Sequence, residues 1–138
     1  MAEAARLELR GPNAGPGGEI RIPLGQKAII DVWLDGQGER IRTLNLFLRY
    51  DPLVLKPLDV DLDKDGINPF ITKNYMPQPS EGLNGVLPQK GELIYGVTNV
   101  GSIAARGAGV VASFQVEVIG PGPATQIAVD FRYPLSFT

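Results

Sequence analysis

Cysteine and histidine are both absent from the 138 residues. Without cysteine there is no disulfide, no thiolate metal site and no sulfur nucleophile, and the redox compartment leaves no mark on the chain. Without histidine there is no imidazole base, no imidazole zinc ligand and no Ser-His or Cys-His pairing. Charge of one sign is also lacking: the net charge is −2, and no Lys/Arg cluster is interleaved with aromatics. A nucleic-acid surface is therefore not expected. No apolar run approaches membrane-spanning length, and the N-terminus lacks a signal-peptide core, so no membrane insertion is expected. Aromatics are sparse, with one Trp and four Tyr, widely spaced. A flat sugar-binding row of rings is not expected, although Trp33 and Tyr75 are the rings that would serve one. No matched acid and base stand out, and paired carboxylates for glycoside hydrolysis need a cleft deeper than one small sandwich offers. The chain reads as a non-enzyme.

What is present is punctuation and alternation. Seventeen Gly and twelve Pro separate short apolar runs, the pattern of an all-β protein with many turns. Strands are expected at Arg6–Arg10, Glu19–Pro23, Ala28–Leu34, Ile41–Tyr50, Glu92–Thr98, Val110–Ile119 and Gln126–Phe131, with Leu58–Leu62 able to extend again. The long polar stretch from Asp63 to Gly91 should add one or two short strands, anchored by Phe70, Ile71, Tyr75 and Met76. The sharpest segment is Thr43 to Leu55. Leu44, Leu46, Leu48 and Tyr50 alternate with Asn45, Phe47 and Arg49, so one face is buried and the other faces out. The alternation stops at Tyr50-Asp51-Pro52, because proline cannot donate to the ladder. Val54 and Leu55 should then tuck beneath the sheet, with Tyr50 largely buried and Leu53 or Leu55 packed below. About eight or nine strands, with no repeat and no linker, argue for a two-sheet β-sandwich or jelly roll formed by residues 1–138 as a single domain.

Four segments, in order, resemble cohesin modules: Leu24-Gly25-Gln26-Lys27 with the Ala28–Leu34 strand, Leu46-Phe-Leu-Arg-Tyr-Asp-Pro-Leu-Val-Leu55, Gly91-Glu-Leu-Ile-Tyr-Gly-Val-Thr-Asn99, and Gly109-Val-Val-Ala-Ser-Phe-Gln-Val-Glu-Val118. Together they span roughly Ile20 to Phe131. The resemblance implies a nine-stranded jelly roll that docks a dockerin module on one flat sheet face. It implies contact positions on the third, fifth and eighth strands. In this chain these match Thr43 and Asn45, with Phe47 next on that face, then Thr98 and Asn99; the eighth strand offers Val111, Ser113, Gln115 and Glu117, of which Ser113 and Gln115 are the candidate contacts. The best-known cohesins hold an Asn and an Asp where this chain has Thr43 and Asn45. The outward register of these strand residues also follows from alternation alone, as it would for an ordinary solvated face.

The resemblance thus implies a non-catalytic interaction module with a dockerin-like partner, in an extracellular or cell-surface assembly. The competing expectation is a structural subunit that self-associates in a surface layer, filament or virion, with the apolar tail Phe131–Thr138 able to add a strand to a neighbour. A carbohydrate-binding module is a third reading.

The segment Asp59-Val-Asp61-Leu-Asp63-Lys-Asp65-Gly66-Ile67-Asn68 places carboxylates at every second residue. Calcium is the cofactor this pattern suggests. Asp61, Asp63 and Asp65 would take the first, third and fifth ligand positions, Gly66 the sharp turn and the Ile67 carbonyl the next ligand. Thr72 stands where the closing bidentate acid would be, so a complete EF-hand is absent. The plain alternative is a solvated acidic loop with a tight Asp-Gly turn.

Overall fold

The structure is a computed structural model that describes residues 6–11, 22–38, 40–60, 67–87, 89, 91–103, 105–120 and 128–130. Nine strands run among them: β1 (Arg6–Arg10), β2 (Lys27–Asp35), β3 (Thr43–Arg49), β4 (Leu55–Pro57), β5 (Phe70–Thr72), β6 (Pro79–Leu87), β7 (Glu92–Asn99), β8 (Ala108–Val118) and β9 (Ala128–Asp130). They form two antiparallel sheets. One has the order β1-β2-β8-β4, with β5 also paired to β8; the other has the order β6-β7-β3-β9. Non-consecutive neighbours in both sheets give the jelly-roll character expected of a β-sandwich.

The two sheets share one core because their inward registers face each other. Ile30, Val32 and Leu34 of β2 and Ala112, Phe114, Val116 and Val118 of β8 are buried against Leu44, Leu46 and Leu48 of β3 and Leu93, Tyr95 and Val97 of β7. Phe70 stacks on Tyr95 at 4.7 Å between ring centroids and tilts against Phe114 at 5.2 Å, so three aromatics from both sheets meet in the middle. Thr72 and Tyr95 share a hydroxyl–hydroxyl bond of 2.5 Å there. Burial pushes the Tyr95 phenol up to about 12, against the bond from Thr72, which lowers it, and with a small upward push from Glu81.

The Tyr50-Asp51-Pro52 break is a tight turn. Asp51 Oδ1 accepts from the Leu53 amide at 2.9 Å, and the Asp51 carbonyl accepts from Val54 and Leu55, a side chain taking over where the ladder stops. Leu55 returns into the core, as expected. Leu53 does not: it is 79% exposed. Tyr50 is half-buried and not largely buried; it lies at the strand end, where its amide donates to the Gly91 carbonyl.

Three further expectations are corrected, and one falls mostly outside the described residues. The second extension after Pro52 is Leu55–Pro57, not Leu58–Leu62; of the latter, Leu58 to Val60 are described and lie outside any strand. The stretch before Gly91 holds a full nine-residue strand, β6, which shows almost no alternation. The β2–β8 register shifts between Val32 and Trp33. This bulge places Val111 in the core, although simple alternation sets it outward. The strand at Glu19–Pro23 lies mostly outside the described residues, but Ile22 is buried.

Candidate functional site

The outer face of the four-stranded sheet is a grid set by the register. β3 and β7 pair Thr43 with Thr98, Asn45 with Gly96, Phe47 with Ile94 and Arg49 with Glu92. β6 continues the same rows with Ser80, Leu83, Gly85 and Leu87. On the far side of β3 the β9 backbone pairs in register, Asp130 with Phe47 and Ala128 with Arg49. The first row is hydroxylic: Thr43 Oγ1 and Thr98 Oγ1 lie 3.3 Å apart. The last row is ionic, with Arg49 Nε 4.0 Å from Glu92 Oε2. Between them lies an apolar band of Phe47, Ile94 and Leu83, the last 43% exposed, with Leu87 exposed at its corner.

Two glycines keep this band flat. A β-carbon on Gly96 would sit 2.8 Å from Asn45 Oδ1 and 3.5 Å from Leu83 Cβ, so the Asn45 amide and the Leu83 side chain close over the glycine from either side. A β-carbon on Gly85 would meet Ile94 Cγ1 at 3.7 Å, so Ile94 lies across Gly85. Side chains thus fill the glycine positions from neighbouring strands and leave a shallow surface rather than a groove. An apolar centre within a polar rim is the usual make-up of a protein-docking surface.

The seven residues picked from the sequence do not share this face. Thr43, Asn45, Phe47 and Thr98 do. Asn99 is adjacent but turned inward and 2% exposed. Its Oδ1 accepts from the Gln78 amide at 2.9 Å and its Nδ2 donates to the Ile103 carbonyl at 2.6 Å, so it fastens the loop after β7. Ser113 and Gln115 lie on β8, in the opposite sheet. The expectation that β8 stands beside β3 fails because alternation sets which side of a strand faces out, not which sheet the strand joins. The strands beside β3 are β7 and β9.

Missed from the sequence were Ile94, Gly96, Leu83 and Leu87. The first two could have been read as the outward partners of the buried set Leu93, Tyr95 and Val97. Leu83 and Leu87 carried no such signal, because β6 has a register shift between Glu81 and Leu83.

Asp61, Asp63 and Asp65 lie outside the described residues; Ile67 is described and exposed. The base of that segment is pinned, with the Val60 amide donating to the Asn68 carbonyl at 3.0 Å and the Asn68 amide donating to Asp59 Oδ1 at 3.1 Å. Among the described residues no three His, Cys, Asp or Glu side chains converge on a metal position. One face of the Trp33 ring is covered by the Arg10 guanidinium, which lies 4.0 Å over it. The tail Phe131–Thr138 also lies outside the described residues.

No protein-family model matches the chain, and no curated protein does. Solved structures do. The second type II cohesin module of the adaptor ScaA scaffoldin of Acetivibrio cellulolyticus superposes with a TM-score of 0.70, at 13% identity, over 94% of this chain and 78% of that one. Type II cohesin A11 of Bacteroides cellulosolvens gives 0.66, at 16% identity, over 90% and 76%. The sixth cohesin of scaffoldin B of Acetivibrio cellulolyticus, solved in complex with a Cel5 dockerin, gives 0.61, at 11% identity, over 93% and 82%. The fold of this chain is the cohesin fold.

Proposed function

We propose that this chain, folded as a cohesin, is a non-catalytic docking module whose partner is a dockerin-like module, and that the partner seats on the outer face of β6-β7-β3-β9. The observation that carries the reading is the Phe47–Ile94 pair, an apolar centre held flat by Gly85 and Gly96 and rimmed by Thr43, Thr98, Arg49 and Glu92. Several solved structures of the same fold contain a bound dockerin, which supports a partner of that class. Docking would bury the apolar band and leave the hydroxyl and ionic rows to fix orientation, since rim charges govern encounter and register more than affinity. An extracellular or cell-surface setting belongs to the same reading, supported by similar modules that come from the cellulosome of Acetivibrio cellulolyticus.

The test is titration calorimetry of the purified chain against type I and type II dockerin modules. One of them should bind saturably, and Asn45→Arg, which drives a long cation into the centre of the face, should abolish binding without lowering the melting temperature. Gln115→Arg, on the opposite sheet, should leave binding intact. Equal losses from both variants, or binding that survives Asn45→Arg, would move the docking surface elsewhere.

A further inference from the structure

The opposite sheet carries a second feature, independent of docking. A cleft of about 670 Å3 opens on its outer face between the start of β8 and the segment that follows β5. The bulge between Val32 and Trp33 shapes it: Val111 drops into the core, and Val110 turns out to line the cleft. On the floor, Ser113 Oγ donates to Asp31 Oδ1 at 2.6 Å. Ser113 is only 2% exposed, so the bond fixes the carboxylate from below, and Asp31 Oδ2 has no partner among the described residues. The walls are Ile29, 56% exposed, and Tyr75, whose hydroxyl donates to the Gly107 carbonyl at 3.2 Å and so holds the ring at the edge. Lys73 and Arg106 flank the opening. Both are exposed, and among the described residues neither side chain makes an ion pair or hydrogen bond.

We propose that this cleft binds an acidic carbohydrate, a sugar unit that carries a carboxylate as well as free hydroxyls. Its volume falls in the range of about 300–1,000 Å3 typical of small-ligand sites. In a chain of net charge −2, two unengaged cations at one opening attract an anion locally, and a guanidinium suits a carboxylate through paired hydrogen bonds. The open Asp31 oxygen needs a donor, which a hydroxyl supplies. Ile29 and the Tyr75 ring give apolar surface for the C–H side of a sugar ring. An extended acidic peptide fits less well. Over the floor of the cleft β8 is paired on both sides, to β2 through Ile29–Val32 and to β5 through Ile71 and Thr72, with the Lys73 amide donating to the Val111 carbonyl. No strand edge is left there for main-chain pairing. The ligand must be read by side chains. The cleft and the docking face lie on opposite sheets, so the module could hold a partner and an acidic polysaccharide together.

The experiment is titration of the whole chain, followed by calorimetry and by amide chemical shifts, with tri-galacturonate, with neutral cellotriose and with an Asp/Glu hexapeptide. Tri-galacturonate should bind saturably and perturb amides around Asp31, Lys73 and Arg106, and cellotriose should bind at least tenfold more weakly. Lys73→Glu with Arg106→Glu should cut tri-galacturonate affinity at least tenfold at unchanged melting temperature, since both side chains are exposed. Asp31→Asn should weaken it as well. The proposal is overturned if tri-galacturonate shows no saturable binding, if the double variant binds it as before, or if the hexapeptide binds more tightly than the sugar.

Discussion

Asn84 holds Phe70 by both of its main-chain groups: the Phe70 amide donates to Asn84 Oδ1 at 3.0 Å, and Asn84 Nδ2 donates to the Phe70 carbonyl at 2.8 Å. Asn84 belongs to β6 and Phe70 to β5, so a side-chain amide stands in for a strand and ties one sheet to the other. Asn84→Leu keeps the bulk and leaves two main-chain groups of a buried residue unpaired. Each such group costs about 1–3 kcal/mol, so urea unfolding should show a loss of at least about 2 kcal/mol. A loss below about 0.5 kcal/mol, the level of an ordinary surface change, would mean that water replaces the amide at this edge.

Leu55 is the second stability probe. It is fully buried where the chain re-enters after the Asp51 turn, and Leu55→Ala should cost about 2–5 kcal/mol. Leu53→Ala, two residues earlier and exposed, should cost less than about 0.5 kcal/mol. The pair of measurements reads the direction of the turn.

Gly96→Ala separates docking from stability. The new methyl would meet Asn45 Oδ1, the free end of a side chain that can swing aside, so melting should shift little. The displaced amide and the raised methyl would spoil the flat centre, and partner affinity should fall about tenfold, equivalent to about 1.4 kcal/mol. Undiminished affinity would place the contact away from the Asn45–Gly96–Leu83 row.

Alkaline pH should act through Tyr95. Its phenol is raised by burial from 10.0 to about 12, so the folded state holds the proton more tightly than the unfolded chain does. The corresponding stability is fully present below pH 10 and is lost as pH rises toward 12. At about 1.4 kcal/mol per pH unit, the loss is on the order of 3 kcal/mol. Tyr75, also raised to about 12 but half-exposed, should add a smaller part. Comparison of the chain with Tyr95→Phe at pH 8, 10 and 12 isolates the contribution: the stability gap between them should shrink across pH 10 to 12. A constant gap would mean that water reaches the phenol.

The strands with one wet and one dry face were legible from period two, and Leu44 to Leu48 and Leu93 to Val97 lie as the alternation requires. The Tyr50-Asp51-Pro52 break was legible because Pro and Asp each act on their own backbone. Half of the proposed docking face was hidden for two physical reasons. Which sheet a strand joins depends on long-range pairing, so Ser113 and Gln115 were set beside β3 although β8 pairs with β2. Register shifts at Val32/Trp33 and Glu81/Leu83 add a residue without changing composition, so Val111, Leu83 and Leu87 fell out of phase. The buried role of Asn99 was equally invisible, since a polar residue at a strand end reads as exposed until its partners Gln78 and Ile103 are known.

Trp33 is the chain's one tryptophan, and it lies on β2 directly opposite Glu8 of β1, beneath the Arg10 guanidinium. Its indole is thus a natural optical gauge of whether β1 is seated. Peeling of that edge strand would remove the cation from the ring and wet it, and the emission would shift to the red while the β6-β7-β3-β9 sheet stayed whole. A partner seated on that far sheet would leave the signal alone. One fluorophore therefore reports loosening of the sandwich at one side and is silent to traffic at the other.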